Sequence, residues 1–193
     1  MSLRSYILIL FLLFSRLFCD NSASGAERFD RGAGVDAFRD SSVMRLGELN
    51  EALLALLEKE RETPAALEIA TAIESIVTGG GISDTVILSD SYYILGHYYL
   101  DKKNYTSASA NFSLSVASRE ALGLADRRYA LGLTNNSVAL LQAGDYSRAY
   151  ALGLKGLAAR RAVSGNDSSS LAANYLNLAS ICLEMNDPEK VIN

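Results

Sequence analysis

The chain has 193 residues, a formal net charge of −4, 49% apolar side chains, two prolines and no tryptophan. That length supports one domain with a substantial core, and the scarcity of breakers among abundant Leu and Ala favours an all-α fold. An acidic balance excludes a general nucleic-acid surface; the adjacent arginines Arg127-Arg128 and Arg160-Arg161 are expected near helix ends, where cations complement exposed carbonyls.

At the N-terminus a short positive lead containing Arg4 precedes an unbroken apolar run over residues 6–14. Nine residues rise only about 14 Å as a helix, short of a hydrocarbon core of about 30 Å, so residues 1–26 read as a secretory signal peptide. Small residues Ser24 and Ala26 place cleavage after Ala26. Two other outcomes compete. One is an uncleaved anchor with membrane contact through residues 1–18, and the other is lipidation at Cys19, although Phe18 is larger than the residue bacterial lipoproteins carry before that cysteine. Cleavage leaves Cys182 as the one thiol, so no disulfide framework is expected, and Cys182 reads as a small buried hydrophobe.

Residues 27–41 mix charge with Gly32 and Gly34 and read as a flexible linker. Ser41-Ser42 then offers an N-cap to an amphipathic helix carrying Leu46, Leu49, Leu53, Leu56 and Leu57. Thr63-Pro64 opens the next helix, a cap followed by proline at the tolerated first position, with Leu67, Ala70, Ile73, Ile76 and Val77 as its buried stripe. Gly79-Gly80-Gly81 closes this divergent first hairpin, 42–82; with no strand before it and no Lys-Ser/Thr after it, the triplet is a linker and not a phosphate loop. Ser83-Asp84 caps a helix to about Lys102 bearing Ile87, Tyr92, Leu95 and Tyr99, and its partner runs from Tyr105 through Ala108, Phe112 and Val116, giving a hairpin over 83–123. The third hairpin, 124–166, pairs 124–143 with 146–163. A fourth, 167–193, has a helix over 171–185 and a partner opened by Pro188. With that partner incomplete, Leu178, Ile181, Cys182 and Leu183 are expected to be exposed, and the chain to be the front of a longer polypeptide.

The hairpins keep a period. Tyr92-x2-Leu95-Gly96-x2-Tyr99, then Asn104-Tyr105, Ala108 and Phe112, recurs as Leu133, Asn136-Ser137, Leu140, Gly144-Asp145-Tyr146, Ala149 and Gly153. A further copy reads Tyr175-x2-Leu178-Ala179-x2-Cys182 with Asn186-Asp187-Pro188, so Tyr105, Tyr146 and Pro188 stand 41 and 42 residues apart. A fixed period of this size signals stacked supersecondary units. These copies resemble the tetratricopeptide repeat, in the extended form found in kinesin light chains and related bacterial regulators. Gly153 stands where that family commonly has an aromatic, Asn136 replaces a Leu, and the family's late Pro is missing.

The resemblance implies an α-solenoid of antiparallel helix hairpins in a right-handed superhelix, close helix approach at Gly96, Ser137 and Ala179, and Ala108 and Ala149 opposite. It also implies a concave wall, built by the first helix of each hairpin, that holds an extended peptide or a partner helix. Tyr93, His97, Asn135, Val138, Asn177 and Ser180 are the inward-facing residues. Asn135 and Asn177 suit a peptide backbone, and equally a neighbouring helix, because an amide both donates and accepts. Tyr93 and Tyr98 have a spacing that suits a core as well as ligand stacking.

His97 is the one histidine, with Asp101 one turn away and Asp90 two turns back, which reads as a surface pair as easily as a catalytic one. No acidic spacing converges on a metal site, so no enzyme, metal or cofactor is expected. Asn104, Asn111, Asn135 and Asn166 head glycosylation-type triplets, but helical settings argue against modification and for a bacterial origin. The leading expectation is an exported protein-interaction scaffold of the bacterial periplasm or cell envelope, with a protein or peptide partner. The competing one is the sensory input region of a larger membrane-bound signalling protein, followed by an apolar span and an output domain.

Overall fold

The computed structural model of this chain describes residues 31–59, 63–82, 84–165 and 168–185. The signal segment 1–26, Cys19, residues 27–30, Asn166 and Pro188 lie outside the described residues. The chain divides into two compact units, Met1–Val35 and Asp36–Asn193, and the second carries the fold. Among the described residues the secondary structure is all-α, with no strand: α1 Arg31–Lys59, α2 Pro64–Gly79, α3 Thr85–Asp101, α4 Tyr105–Ala121, α5 Arg127–Gln142, α6 Tyr146–Ser164 and α7 Ser168–Glu184. No helix among the described residues is long and apolar enough to cross a membrane.

Local chemistry sets the helix starts. Thr63 Oγ1 accepts from the Ala66 amide at 3.1 Å ahead of Pro64, and Asp84 Oδ1 accepts from Val86 and Ile87 at 2.9 and 3.1 Å. Asn104, Asp126 and Asp145 each accept from the amide three residues on, at 3.2, 2.9 and 3.1 Å. Each such cap contributes about 1 kcal/mol by satisfying an amide the helix leaves unpaired. The loops recur in the same way. Lys103 and Gly144 both adopt left-handed backbone, at φ 58 and 82, and the next amide in each case returns to a carbonyl five residues back at 2.9 Å. Gly144 adopts this conformation freely, whereas Lys103 carries a Cβ penalty of about 1 kcal/mol there.

Short connections make helices adjacent in sequence antiparallel neighbours. Ser89 Oγ donates to the Ser115 carbonyl at 3.1 Å across α3 and α4, while further along the same pair Phe112 lies on Gly96. A Cβ built on Gly96 would stand 2.6 Å from two ring carbons of Phe112, so the ring occupies the space the missing side chain leaves. Between α5 and α6, Ser137 Oγ donates to the Ala149 carbonyl at 2.7 Å. Gly153 stands in the register of Phe112, and a Cβ there would meet Leu178 of α7 at 2.8 Å. Leu178 thus fills the volume that an aromatic fills one hairpin earlier. Ala108 and Ala149 are fully buried at these crossings. Between α4 and α5, Asn136 bridges two serines, accepting from Ser109 Oγ at 2.7 Å and donating to Ser113 Oγ at 2.8 Å, which explains an amide at a position suited to Leu.

Several expectations are corrected. Residues 31–41, read as flexible linker, belong to α1, which begins at Arg31 and not at a Ser41-Ser42 cap. Once the buried Leu46, Leu49, Leu53, Leu56 and Leu57 hold the helix, each residue added upstream gains a backbone hydrogen bond without a new nucleus, and Gly32 and Gly34 fall in the first turn. In α2 the covered stripe is Ala66, Ala70 and Ile73, whereas Leu67 is exposed; the small alanines allow close packing one position around the helix from the expected stripe. Ile76 and Val77 are half-buried. Tyr93 and Tyr98 are buried, with Tyr92 and Tyr99 half-buried beside them. Leu178, Ile181 and Cys182, expected to be exposed, are buried, because Ile181 packs with Leu140 and Ala149, and Leu178 enters at Gly153. Only Leu183 of that set is exposed.

Gly96→Ala should destabilise the fold by about 1–3 kcal/mol through overpacking, offset in part by about 1 kcal/mol of helix propensity. Adding Phe112→Leu should recover part of the loss, measured as the urea unfolding midpoint. A Gly96→Ala protein at least as stable as the wild type would show that the ring moves aside freely.

Candidate partner-binding face

The first helices of the hairpins, α1, α3, α5 and α7, are tied to one another by amides. Asn50 of α1 donates from Nδ2 to Ser91 Oγ of α3 at 2.9 Å, and that hydroxyl donates to the Ile87 carbonyl at 2.8 Å. Asn174 of α7 repeats the relay, donating to Thr134 Oγ1 of α5 at 2.8 Å, and Thr134 donates to the Ala130 carbonyl at 3.0 Å. The paired residues are 41 and 40 positions apart. Both asparagines and both hydroxyls are buried, so each bond stabilises by about 1 kcal/mol and its loss exposes the partner's full desolvation penalty.

Between α3 and α5 the link has a different composition. Asn135 Nδ2 donates to Tyr93 OH at 3.1 Å and meets His97 Nε2 at 2.9 Å. An amide nitrogen only donates, so His97 Nε2 accepts and the proton of the neutral ring sits on Nδ1. The Tyr93, His97 and Phe112 rings pack edge to face, with centroids 4.7, 5.8 and 5.3 Å apart. Arg128 lays its guanidinium over the Tyr93 ring at 4.5 Å.

Behind this ring cluster stands a charge group that sequence reading missed. Arg119 of α4 is buried and pairs with Asp90 of α3 at 2.5 Å and with Asp126 at the start of α5. Asp126 serves twice, capping α5 through Oδ1 and holding Arg119 through Oδ2. Arg128 Nε approaches Asp90 at 3.3 Å. Asp90 therefore serves the arginines and not His97. Arg127-Arg128 opens α5, opposite to the expected carbonyl end, and Asp126 and Asp90 supply the negative charge that position requires. Arg160-Arg161 lies in the last turns of α6, as expected.

Burial pulls His97 below the ordinary imidazole range; Asp101 opposes this and Arg128 adds to it. Burial pushes Tyr93 up, against the lowering effect of Arg128 and Asn135. Tyr99 is pushed up to about 12 by burial and by its bond to the Glu74 carboxylate. At neutral pH the cluster is thus an uncharged tyrosine, an uncharged histidine and an amide. The His97 lone pair on Nε2 accepts an Asn135 amide hydrogen. No group of three His, Cys, Asp or Glu side chains among the described residues could hold a metal ion.

Of the six expected inward residues, the fold brings Tyr93, His97 and Asn135 together. Tyr93 is buried and presents little surface, a correction whose cause lies in Arg128 and Phe112 from the two adjoining helices. His97 and Asn135 are half-buried. Val138 and Asn177 are half-buried further along α5 and α7, and Ser180 is exposed with its hydroxyl on the Leu176 carbonyl. Asn50 and Asn174 were missed, although polar residues spaced by the period mark them. Comparison with protein-family models finds no match, and comparison with curated proteins finds no relative.

Because the folded value of His97 is depressed, the stability a neutral ring supplies is complete above the ordinary value of 6.5 and is lost as pH falls through the lower folded value. Its proton resonance, from the one histidine present, should titrate below 6.5. Between about pH 7.5 and about pH 5.5 the wild type should lose more urea resistance than His97→Gln; equal losses would unlink this ring from stability. The charge group should respond asymmetrically. Asp90→Asn with Asp126→Asn strands a buried guanidinium and should cost about 3 kcal/mol. Arg119→Met leaves carboxylates that reach water and should cost about 1 kcal/mol, both read by denaturant unfolding.

Proposed function

We propose that the chain is a tetratricopeptide-type helical repeat array that works as a protein-interaction scaffold of the bacterial envelope. It holds an extended peptide or a partner helix against the concave face built by α1, α3, α5 and α7. The observation that carries this reading is recurrence at a spacing near 41 residues. Asn104 and Asp145 cap the second helices of two hairpins, Lys103 and Gly144 make the same left-handed turn before them, and Asn50 and Asn174 each donate to a hydroxyl on a neighbouring first helix, 41 and 40 residues away. Export rests on the leader sequence at residues 1–26.

Within that reading, the polar links between first helices set the width of the wall, and the residues toward its open side meet the ligand. Both Asn135 amide hydrogens are directed into the wall, so the atom that meets a peptide N–H is Oδ1. Asn177 and Ser180 offer further polar contact, and Val138 an apolar one. An extended backbone is satisfied by such groups without its side chains being read closely, which suits a scaffold with a range of clients.

The test uses a peptide selected by display against the purified chain. Asn177→Arg with Ser180→Arg should weaken its binding about tenfold or more, since bulk and charge then occupy the wall. Ala117→Arg with Ala151→Arg, on exposed positions of α4 and α6, should leave binding unchanged. Helical circular dichroism should match in all three proteins. If only the second pair weakens binding, the ligand sits on the second helices and this assignment of the face is wrong.

A further inference from the structure

Both amide hydrogens of Asn135 are committed inside the wall. Nδ2 donates to Tyr93 OH at 3.1 Å and to His97 Nε2 at 2.9 Å, which leaves Oδ1 toward the open side. A tyrosine hydroxyl donates or accepts, and an amide can turn end for end about its last side-chain bond. Imidazole loses that choice when it gains a proton. The charged ring carries N–H on both nitrogens, so Nε2 offers a hydrogen where it had offered a lone pair.

Two donors do not share a 2.9 Å contact, so one member of the cluster must move. Packing opposes a swing of the ring, which sits edge to face between Tyr93 and Phe112 with centroids 4.7 and 5.3 Å away. Tyr93 is buried, with the Arg128 guanidinium over its ring at 4.5 Å. Asn135 is half-buried and open on one side, so the amide is the group with room to turn. After a half-turn Oδ1 accepts from His97 Nε2 and from the Tyr93 hydroxyl, and both contacts are remade. The two amide hydrogens then point to the open side.

The charges around the ring are few and opposed. Asp101, one turn along α3, favours a proton on His97, while burial and Arg128 of α5 oppose it. Asp90, two turns back, is taken by Arg119 and Arg128. Phe112 is what α4 places against the ring, and Arg160 of α6 bears on Tyr93. The neutral arrangement therefore holds at neutral pH, and the proton arrives below the ordinary imidazole range.

We propose that protonation of His97 turns the Asn135 amide over, so that the wall exchanges a hydrogen-bond acceptor for a donor. The consequence for a ligand rests on the peptide face proposed above. A main-chain N–H that met Oδ1 loses its bond, and a main-chain carbonyl at the same place gains one. Acidity thereby selects which backbone atom is held, with no change in the helices.

The free protein tests the turn. At about pH 7.5, hydrogen exchange of the Asn135 side-chain amide, read by NMR, should be about tenfold or more slower than that of exposed Asn104. That protection should vanish as pH falls through the His97 midpoint, while the backbone amides of α3 and α5 stay protected. Asn135→Asp presents acceptors only, and should raise the His97 midpoint by about one unit or more over the wild type. Three results overturn the proposal. They are a neutral ring carrying its proton on Nε2, amide protection indifferent to the His97 titration, and an unshifted midpoint in Asn135→Asp of native circular dichroism.

An acetylated display-selected peptide without His, Asp or Glu then separates the turn from the peptide face. Its affinity should fall about tenfold or more below the His97 midpoint. His97→Gln should abolish that pH dependence, because its amide oxygen accepts from Asn135 at either pH. Exchange that follows His97 while peptide affinity does not would keep the amide turn and move the ligand off Asn135.

Discussion

Two helices can approach no closer than the side chains between their backbones allow, and in this chain that limit is set at a few small residues. Gly96 admits the Phe112 ring, Ser137 faces Gly153, and Gly132 leaves room for Val116, whose methyl would stand 2.9 Å from an added Cβ. The remaining contacts depend on these spacings. With the hairpins drawn together, Ala108 and Ala149 are buried, Leu178 reaches Gly153, and the serine hydroxyls reach carbonyls on the facing helix. A core assembled this way combines large side chains with close backbone approach at the small ones, so volume matters at particular crossings.

Polar groups then do what bulky apolar ones do elsewhere. Close approach brings backbone carbonyls and hydroxyls within reach across helices, and Asn50, Asn136 and Asn174 use it. Because these amides are buried, a slip of one helix past another leaves a donor or acceptor unpaired, at a penalty several times the net gain of the bond itself. The apolar contacts tolerate a range of positions, while the amides permit one register.

The cluster around Tyr93 joins both arrangements. It sits where α3, α4 and α5 meet, with Phe112 and Arg119 from α4 and Asn135 and Arg128 from α5 closing on a helix that contributes Asp90, Tyr93 and His97. Four charged side chains, Arg119, Arg128, Asp90 and Asp126, surround an uncharged cluster, and positive charge on His97 is disfavoured by burial and by Arg128 together. On the proposed face this gives a neutral hydrogen-bonding patch backed by a rigid charge group, a combination suited to a main-chain ligand more than to a charged one.

Helix identity of α2 to α7 and the starts of α2, α3, α4 and α6 are legible in the residues, because a cap such as Thr63-Pro64 or Asp145 and a stripe of period 3.6 act within one or two turns. The small residues at 96 and 137 and the spacing of the hairpins are legible for the same reason, being repeated local patterns. The linker reading of residues 31–41 failed because helix propagation from a stable downstream stripe overrides weak local preference. What only the tertiary structure decided is which apolar or polar face of each helix another helix covers. Tyr93 reads as an inward surface residue until Arg128 and Phe112 arrive from two other helices, and Leu178 reads as exposed until Gly153 makes room for it. Asp90 shows the same for charge, since its partners come from helices 29 and 38 residues away in sequence. A single chain period determines how one helix distributes its residues around its own axis; the spacing and register between helices determine which of those residues meet.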